Sequence, residues 1–276
     1  MRGTANRWML GSSGWRYDRT AAPSTAMHGT GRGGWPGGEA SAVFGRKGAG
    51  VAWVAQWVET GARKEARILE LVRGRPEFMQ GETVLDSAGN QLRILDYIRG
   101  KTLGQLALEM GKNHEDFFFN YYPALLDEFI QVIEAIRFLH ENGEKHGDIR
   151  RDHIIKDMTT GRYRWIDFDF NYRHGESRFA YDLFGLGNIL IYITGRGDVI
   201  THRLLQEDPD ALGKLSDDDV NIVFRNRVAN LGKIYPYIPE ALNRVLMHFS
   251  VGARVYYDDT RELLEDLGEA REKITK

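Results

Sequence analysis

The chain of 276 residues contains no cysteine. This absence excludes disulfide bonds, thiol nucleophiles and thiolate metal sites, and it is compatible with a reducing cytosol. The sequence also lacks any run of about 18 apolar residues, which excludes an apolar membrane-spanning helix, and its first residues lack the apolar stretch of a signal peptide. We therefore expect a cytoplasmic protein without a membrane span.

Charge of one sign is not in excess either, because the formal net charge is only −2. Nothing in this balance makes nucleic acid or an anionic membrane an obligate partner, and the sequence carries no indication of oligomeric state. Residues 1–36 are rich in Gly, Ser, Thr, Arg and Trp without a helical or strand period, so we expect a disordered leader. The remaining length suits one large domain or two lobes.

Two acidic motifs stand out in the rest of the chain. His146-Gly147-Asp148 is followed by Asp167-Phe168-Asp169, and Asp167 lies nineteen residues after Asp148. Residues 154–155 and 163–166 between them are typical of two short strands around a turn that ends at Gly161. Such a hairpin would bring both aspartates to one end of a small sheet. Phosphoryl transfer from a nucleotide requires two such carboxylates, one for the attacking hydroxyl and one for a metal on the phosphates.

The two motifs resemble those of the protein-kinase-like superfamily. The catalytic loop of that family reads His-Arg-Asp with an asparagine five residues after the aspartate, and Asp-Phe-Gly follows it. The hydrophobic periodicity and capping residues also predict helices where the family has them. These segments are 123–140 before the loop, a central helix from 181, and two closing segments at 238–242 and 254–267.

The resemblance covers roughly residues 37 to 267, and it implies an α+β, two-lobed protein-kinase-like fold. In this interpretation residues 37–98 form a small β-rich N-lobe and residues 99–276 form a larger helical C-lobe. Asp182 would have a structural role and accept hydrogen bonds from the catalytic-loop backbone.

The resemblance also places the nucleotide on the N-lobe. Gly37, Gly38 and the following Val43 stand at the place of the glycine-rich loop, where small residues let backbone N–H groups approach phosphate oxygens. Backbone groups near Asp96 and Ile98, in the segment that joins the lobes, would bind adenine.

The family places a lysine on its third strand, where it contacts the phosphates and pairs with a helix glutamate, but here Gln56 stands at that place. We expect Glu65, on the apolar face of a helix over residues 62–72, to be the helix glutamate and to hydrogen-bond the neutral amide. The alternatives are that Lys47 or Lys64 supplies the missing charge, and that Glu65 is only a first-turn residue favoured by the helix dipole.

In the same interpretation Asp148 accepts or orients the proton of the attacking hydroxyl, and Arg150 neutralises charge on the transferred group. Asp167 would bind Mg²⁺ or Mn²⁺. His153 stands where the family has asparagine as a second metal ligand, as in the lipopolysaccharide sugar kinases, and the alternative is a packed histidine. Asp169 replaces the glycine of Asp-Phe-Gly, as in the aminoglycoside phosphotransferases.

Only fifteen residues separate Asp167 from Asp182 in sequence number, and no Ala-Pro-Glu occurs between them, so the long peptide-binding activation segment is absent. We therefore expect an atypical kinase that depends on ATP and a divalent metal and transfers the γ-phosphate to a hydroxyl of a protein, a sugar or another small molecule. Because Gln56 and His153 depart from the family pattern, the alternative is a pseudokinase, a binding module with weak or no catalysis.

Overall fold

The computed structural model describes residues 7–11, 14–18, 42–47, 51–57, 62–85, 91–168 and 177–274, and it describes side chains for 64–84, 93–168 and 177–274. The chain divides into two compact units. Unit 1 is Met1–Arg99 with Asp167–Asn171, and unit 2 is Gly100–Ile166 with Tyr172–Lys276.

The described residues of unit 1 form antiparallel sheets and one helix, α1, over Ala62–Leu71. Its strands are β1 Arg7–Gly11, β2 Gly14–Asp18, β3 Ala42–Lys47, β4 Val51–Trp57, β5 Gly81–Leu85 and β6 Gln91–Asp96. Strands β3 to β6 form one sheet in the order β3-β4-β6-β5, and α1 packs near β5. The helix buries Ile68, Leu69 and the adjacent Val72, so the apolar face read from the sequence faces the body of the unit.

Strands β1 and β2 lie inside the segment 1–36, where composition predicts no regular structure. Their register pairs Trp8 with Tyr17 and Leu10 with Trp15, so these two apolar or aromatic pairs occupy alternate positions of the ladder. Aromatic and aliphatic residues favour strand pairing, and the disorder expected of the leader as a whole stays a prediction. The other residues of this segment lie outside the described residues.

Unit 2 is mainly helical and contains a three-stranded sheet in the order β7-β8-β9. Its elements are β7 Gly100–Thr102, α2 Leu103–Glu109, α3 His114–Asn120, α4 Tyr122–Glu141, β8 Ile154–Asp157, β9 Tyr163–Trp165, α5 Ala180–Thr194, α6 Thr201–Glu207, α7 Pro209–Gly213, α8 Glu240–Met247 and α9 Thr260–Glu272. Within the described ranges, no helix has both the length and the apolar character needed to cross a bilayer.

Helix α4 and the β8–β9 hairpin fix the segment that carries the first acidic motif. The hairpin turns at Gly161, whose φ of +72° is the left-handed conformation that glycine adopts without strain. Trp165 of β9 is buried and donates a hydrogen bond of 3.0 Å from Nε1 to the carbonyl of Val132 in α4. The predicted helix and hairpin are therefore confirmed, and they hold the intervening loop at both ends.

Helices α5 and α9 complete the packing around α4. α5 is apolar on nearly every side, as expected of a buried central helix. α9 packs on α4 and α8. Its first turn is capped by Asp259, which accepts hydrogen bonds from the N–H groups of Arg261 and Glu262 at 2.7 and 3.2 Å. The predicted closing helix is thus confirmed, and it begins at Thr260, six residues after the start of the predicted segment.

Candidate active site

The loop between α4 and β8 is held by a buried carboxylate from α5. Asp182 accepts backbone N–H groups of His146 at 2.8 Å and Gly147 at 2.9 Å, and its Oδ2 lies 3.1 Å from Nε2 of His140. Gly147 has φ of +93°, a conformation that lets both amides point at the carboxylate without side-chain strain. The structural role expected for Asp182 is confirmed.

The environment of Asp182 also sets its ionisation. Burial acts to raise the pKa of this carboxyl, but the hydrogen bond with His140 and the amide of Gly147 outweigh burial, so its pKa lies below the ordinary range. Asp182 is therefore ionised at neutral pH, and the loop is anchored by charge-assisted hydrogen bonds.

Two histidines fix the backbone of Asp148. The N–H of Asp148 donates to Nδ1 of His146 at 3.3 Å, and its carbonyl accepts from Nδ1 of His153 at 2.9 Å. Nδ1 of His153 also lies 3.5 Å from a carboxylate oxygen of Asp148. The carbonyl requires a donor, so Nδ1 of His153 carries a proton. The Asp148 side chain remains 31% exposed, so a carboxylate on a fixed backbone faces solvent.

Arg150 follows on the same loop and pairs with a neighbouring acid. Its guanidinium donates two hydrogen bonds to the Asp152 carboxylate, at 3.0 and 2.7 Å, and both side chains are about half exposed. The pair is solvated, so screening keeps its interaction weak and the guanidinium can exchange partners at low cost. Its assignment to the transferred phosphoryl group stays a prediction.

Asp167 has an unusual backbone conformation. Its φ is +67°, a left-handed value that non-glycine residues adopt at a cost and that aspartate tolerates better than most. Conformations of this kind concentrate at functional sites. The neighbouring Phe168 is fully buried. It contacts Phe78 edge-on, at 6.0 Å between ring centroids, and both residues belong to unit 1. Asp169 lies outside the described residues.

The donors present suit a metal that binds together with a nucleotide. No group of three or more His, Asp or Glu side chains that could hold a metal occurs among the residues whose placement is described. Mg²⁺ on a nucleotide takes only one or two carboxylates from the protein and completes its shell with phosphate oxygens and water. Asp167 is an oxygen donor of the required kind.

In unit 1, the helix glutamate has a cationic partner that was not predicted. Glu65 is 2% exposed and forms a salt bridge with Arg93 of β6, which is 1% exposed. Register places Arg93 directly opposite Gln56 of β4. Glu65 therefore has an ion pair that the sequence interpretation did not include, and its expected hydrogen bond with Gln56, whose side chain lies outside the described residues, stays a prediction. The sequence does contain an indication of this ion pair, because Arg93 is a charged residue between the apolar Leu92 and Ile94 of the strand.

The other residues assigned to the nucleotide are Gly37, Gly38, Val43, Asp96 and Ile98. Gly37 and Gly38 lie outside the described residues, and Val43 is described by its backbone alone, opposite Ala55. The N–H of Asp96 donates to the carbonyl of Gln80 at 2.9 Å, so this donor serves the sheet. Any adenine contact at Asp96 would use its carbonyl, and Ile98 lies just beyond the strand.

Comparisons with known proteins give partial sequence matches. No family model matches the chain. A putative ribosomal protein S6 kinase alpha-2 of Caenorhabditis elegans is 28% identical over 119 residues, which are 42% of this chain and 14% of that protein. Serine/threonine-protein kinase 1 of African swine fever virus is 28% identical over 100 residues, 34% of each chain. The matches therefore span about a third or less of these relatives' length.

Solved structures match over most of the chain. The kinase domain of Mycobacterium tuberculosis PknI aligns with a TM-score of 0.52 and 14% identity, over 83% of this chain and 90% of that one. The Cydia pomonella granulovirus kinase PK-1 aligns with a TM-score of 0.57 and 15% identity, over 82% and 89%. At these identities the likeness concerns the fold, and it confirms the predicted α+β architecture.

Proposed function

Since this chain has the two-lobed protein-kinase-like fold, we propose that it is an atypical kinase that uses ATP and a divalent metal to phosphorylate a hydroxyl acceptor. The observation that carries the proposal is the fixed loop that presents Asp148. Its N–H and carbonyl are both bonded to histidines, and the preceding amides are bonded to the ionised Asp182. The curated relatives, which are named as kinases, support it.

Asp148 would orient the attacking hydroxyl and accept its proton. A carboxylate whose backbone is already fixed loses little freedom when the substrate arrives, which favours a reactive alignment. Arg150 would leave Asp152 and turn towards the transferred phosphoryl group, where a guanidinium stabilises negative charge.

Asp167 would supply the carboxylate for the metal. When bound, a divalent ion would neutralise charge on the phosphates. Because Nδ1 of His153 is engaged by Asp148, ligation by His153 would have to use Nε2, and imidazole nitrogen suits Mn²⁺ better than Mg²⁺. His153 thus has a positioning role towards Asp148 whether or not it binds metal.

The proposal includes two classes of acceptor. The relatives named as serine/threonine-protein kinases favour a protein hydroxyl. The short interval between Asp167 and Asp182 favours a sugar or another small molecule, because it cannot hold a long peptide-binding segment. Incubation with labelled ATP and either a protein mixture or a panel of sugars distinguishes the two classes.

Replacement of the proposed base tests the activity. Asp148→Asn removes the proton acceptor and keeps the shape, so turnover of labelled ATP should fall by roughly 10²- to 10⁴-fold, with ATP affinity and thermal unfolding unchanged. Asp127→Asn is the matched control, since Asp127 is an exposed carboxylate paired with Arg271. Unchanged turnover of the Asp148 variant contradicts the assignment.

The second candidate function is a pseudokinase, a binding module with weak or no phosphoryl transfer. It is favoured by Gln56 at the place of the family's lysine and by His153 at the place of its asparagine. Calorimetric titration with ATP, with and without Mg²⁺ or Mn²⁺, separates the two. Metal-dependent binding followed by slow release of ADP supports the kinase, and no binding at millimolar nucleotide supports the pseudokinase.

A further inference from the structure

The ion pair between Glu65 and Arg93 is the most deeply buried pair of opposite charges in the described part of unit 1. Removing two charges from water is costly, and their attraction offsets this cost only when the geometry is good. Well-packed apolar residues often stabilise a core equally well. Stability alone therefore gives little reason for a guanidinium at this position.

The position of Arg93 in the sheet suggests a functional reason. β4 and β6 are antiparallel neighbours, and residues 56 and 93 are direct partners in their ladder. Partners in an antiparallel ladder lie on the same face of the sheet with Cβ atoms about 5 Å apart. Position 93 is therefore one strand away from the position of the family's lysine, on the same face.

The length of the arginine side chain bridges this displacement. Its salt bridge with Glu65 of α1 shows that the guanidinium reaches the same helix carboxylate with which a lysine at position 56 would pair. A guanidinium also stays charged when buried, because its pKa exceeds that of lysine, and its fork of N–H donors suits phosphate oxygens.

We propose that Arg93 replaces the missing lysine of the nucleotide site, being held by Glu65 and supplying the positive charge for the phosphates of ATP. This inference rests on the proposed function. It goes further in assigning the phosphate-recognising cation to β6 instead of β4, and it accounts for a neutral Gln56. Glu65 acts through Arg93 and is a positioning residue.

Calorimetry with ATP and with adenosine, each titrated into the full-length chain, tests the inference. Arg93→Met should weaken ATP binding by roughly 10- to 100-fold, the loss expected for charge-assisted hydrogen bonds, and should change adenosine binding less than about 3-fold. A residue with only a structural role would weaken both ligands in parallel. Equal losses for ATP and adenosine therefore overturn the proposal.

A relocated cation provides the second test and covers the case in which Arg93→Met does not fold. The double variant Gln56→Lys/Arg93→Met returns the charge to β4, where it can still pair with Glu65. It should bind ATP within about 5-fold of wild type. A folded double variant that binds adenosine normally and ATP as weakly as an uncharged site overturns the proposal.

Arg164→Met is the matched control, because Arg164 is a mostly buried arginine of unit 2, 15% exposed and 2.9 Å from Asp157. It should leave the ratio of ATP to adenosine affinity unchanged, and a change equal to that of Arg93→Met overturns the specific role of Arg93. Wild-type chain that binds no nucleotide refutes the proposed function itself. Wild-type binding of ATP that is insensitive to Arg93 refutes only the relocated cation.

Discussion

The substitution Asp182→Asn tests how much the loop that carries Asp148 depends on one buried charge. In the wild type, one carboxylate oxygen accepts from the backbone of His146 and lies near His140, and the other accepts from Gly147. An asparagine has one carbonyl oxygen and one NH₂ group. Whichever way the amide is turned, its NH₂ faces a buried N–H donor, so one hydrogen bond is lost and the others lose their ionic reinforcement.

The expected magnitude follows from these hydrogen bonds. A hydrogen bond to an ionised group contributes about 1.5–3 kcal/mol, and an unsatisfied buried N–H costs about 1–3 kcal/mol. Because the remaining bonds to the carbonyl oxygen are retained, we expect a net loss of about 2–4 kcal/mol in the free energy of unfolding of unit 2. This corresponds to a fall in Tm of roughly 5–12 °C for a unit of this size.

Urea unfolding followed by circular dichroism measures this loss, and Asp127→Asn serves as the control because an exposed ion pair contributes only about 0–1 kcal/mol. The folded-state pKa of Asp182 lies below its ordinary value, so its stabilisation is complete above about pH 4 and is lost as pH falls through the folded pKa. The difference from wild type should therefore be constant near neutral pH and close only in acid. A loss under about 0.5 kcal/mol at pH 7 would refute the anchoring role.

Two further predictions concern packing and pH. Gly187→Ala should destabilise the chain by about 1–3 kcal/mol in chemical unfolding, because a Cβ there would lie 2.2 Å from the Phe249 ring. Gly268→Ala, on the exposed side of α9, is the control and should stabilise the chain by about 0.5–1 kcal/mol. Equal effects of the two substitutions would contradict the close packing at Gly187. Burial lowers the pKa of His114 to about 4, so its ring NMR signal should titrate near pH 4 and stability should fall as pH drops from about 6.5 towards 4, since only the unfolded chain takes up the proton there. A midpoint above pH 6 would contradict this environment.

The helical unit and the loop that carries Asp148 could be predicted from sequence because their determinants are local. The period of apolar residues over 123–140 corresponds to α4, and the turn at Gly161 fixes the hairpin. The loop motif is also short, since Asp148 and its two histidine partners lie within eight residues. Only the bonding of the loop to Asp182 is distant in sequence, and the resemblance to kinases supplied it.

Long-range aromatic packing was not accessible in the same way. His114 of α3 stacks on Tyr235 at 3.5 Å between centroids and hydrogen-bonds the Tyr237 hydroxyl and the Thr194 carbonyl. These partners come from segments far apart in the chain, and no spacing rule links them. The protonation of such a histidine depends on tertiary burial, which residue type alone does not reveal.

The cation of unit 1 illustrates a limit that applies to sheets in general. A motif search assigns a role to a position in one strand, but the space that a side chain occupies is defined by its face of the sheet and its ladder neighbours. Gln56 and Arg93 are thirty-seven residues apart in sequence and adjacent in the ladder. A charge can therefore move from β4 to β6 with little displacement in space, while the linear motif is lost. Loss of the lysine motif is for this reason not sufficient to infer loss of the charge, and the register has to be known first.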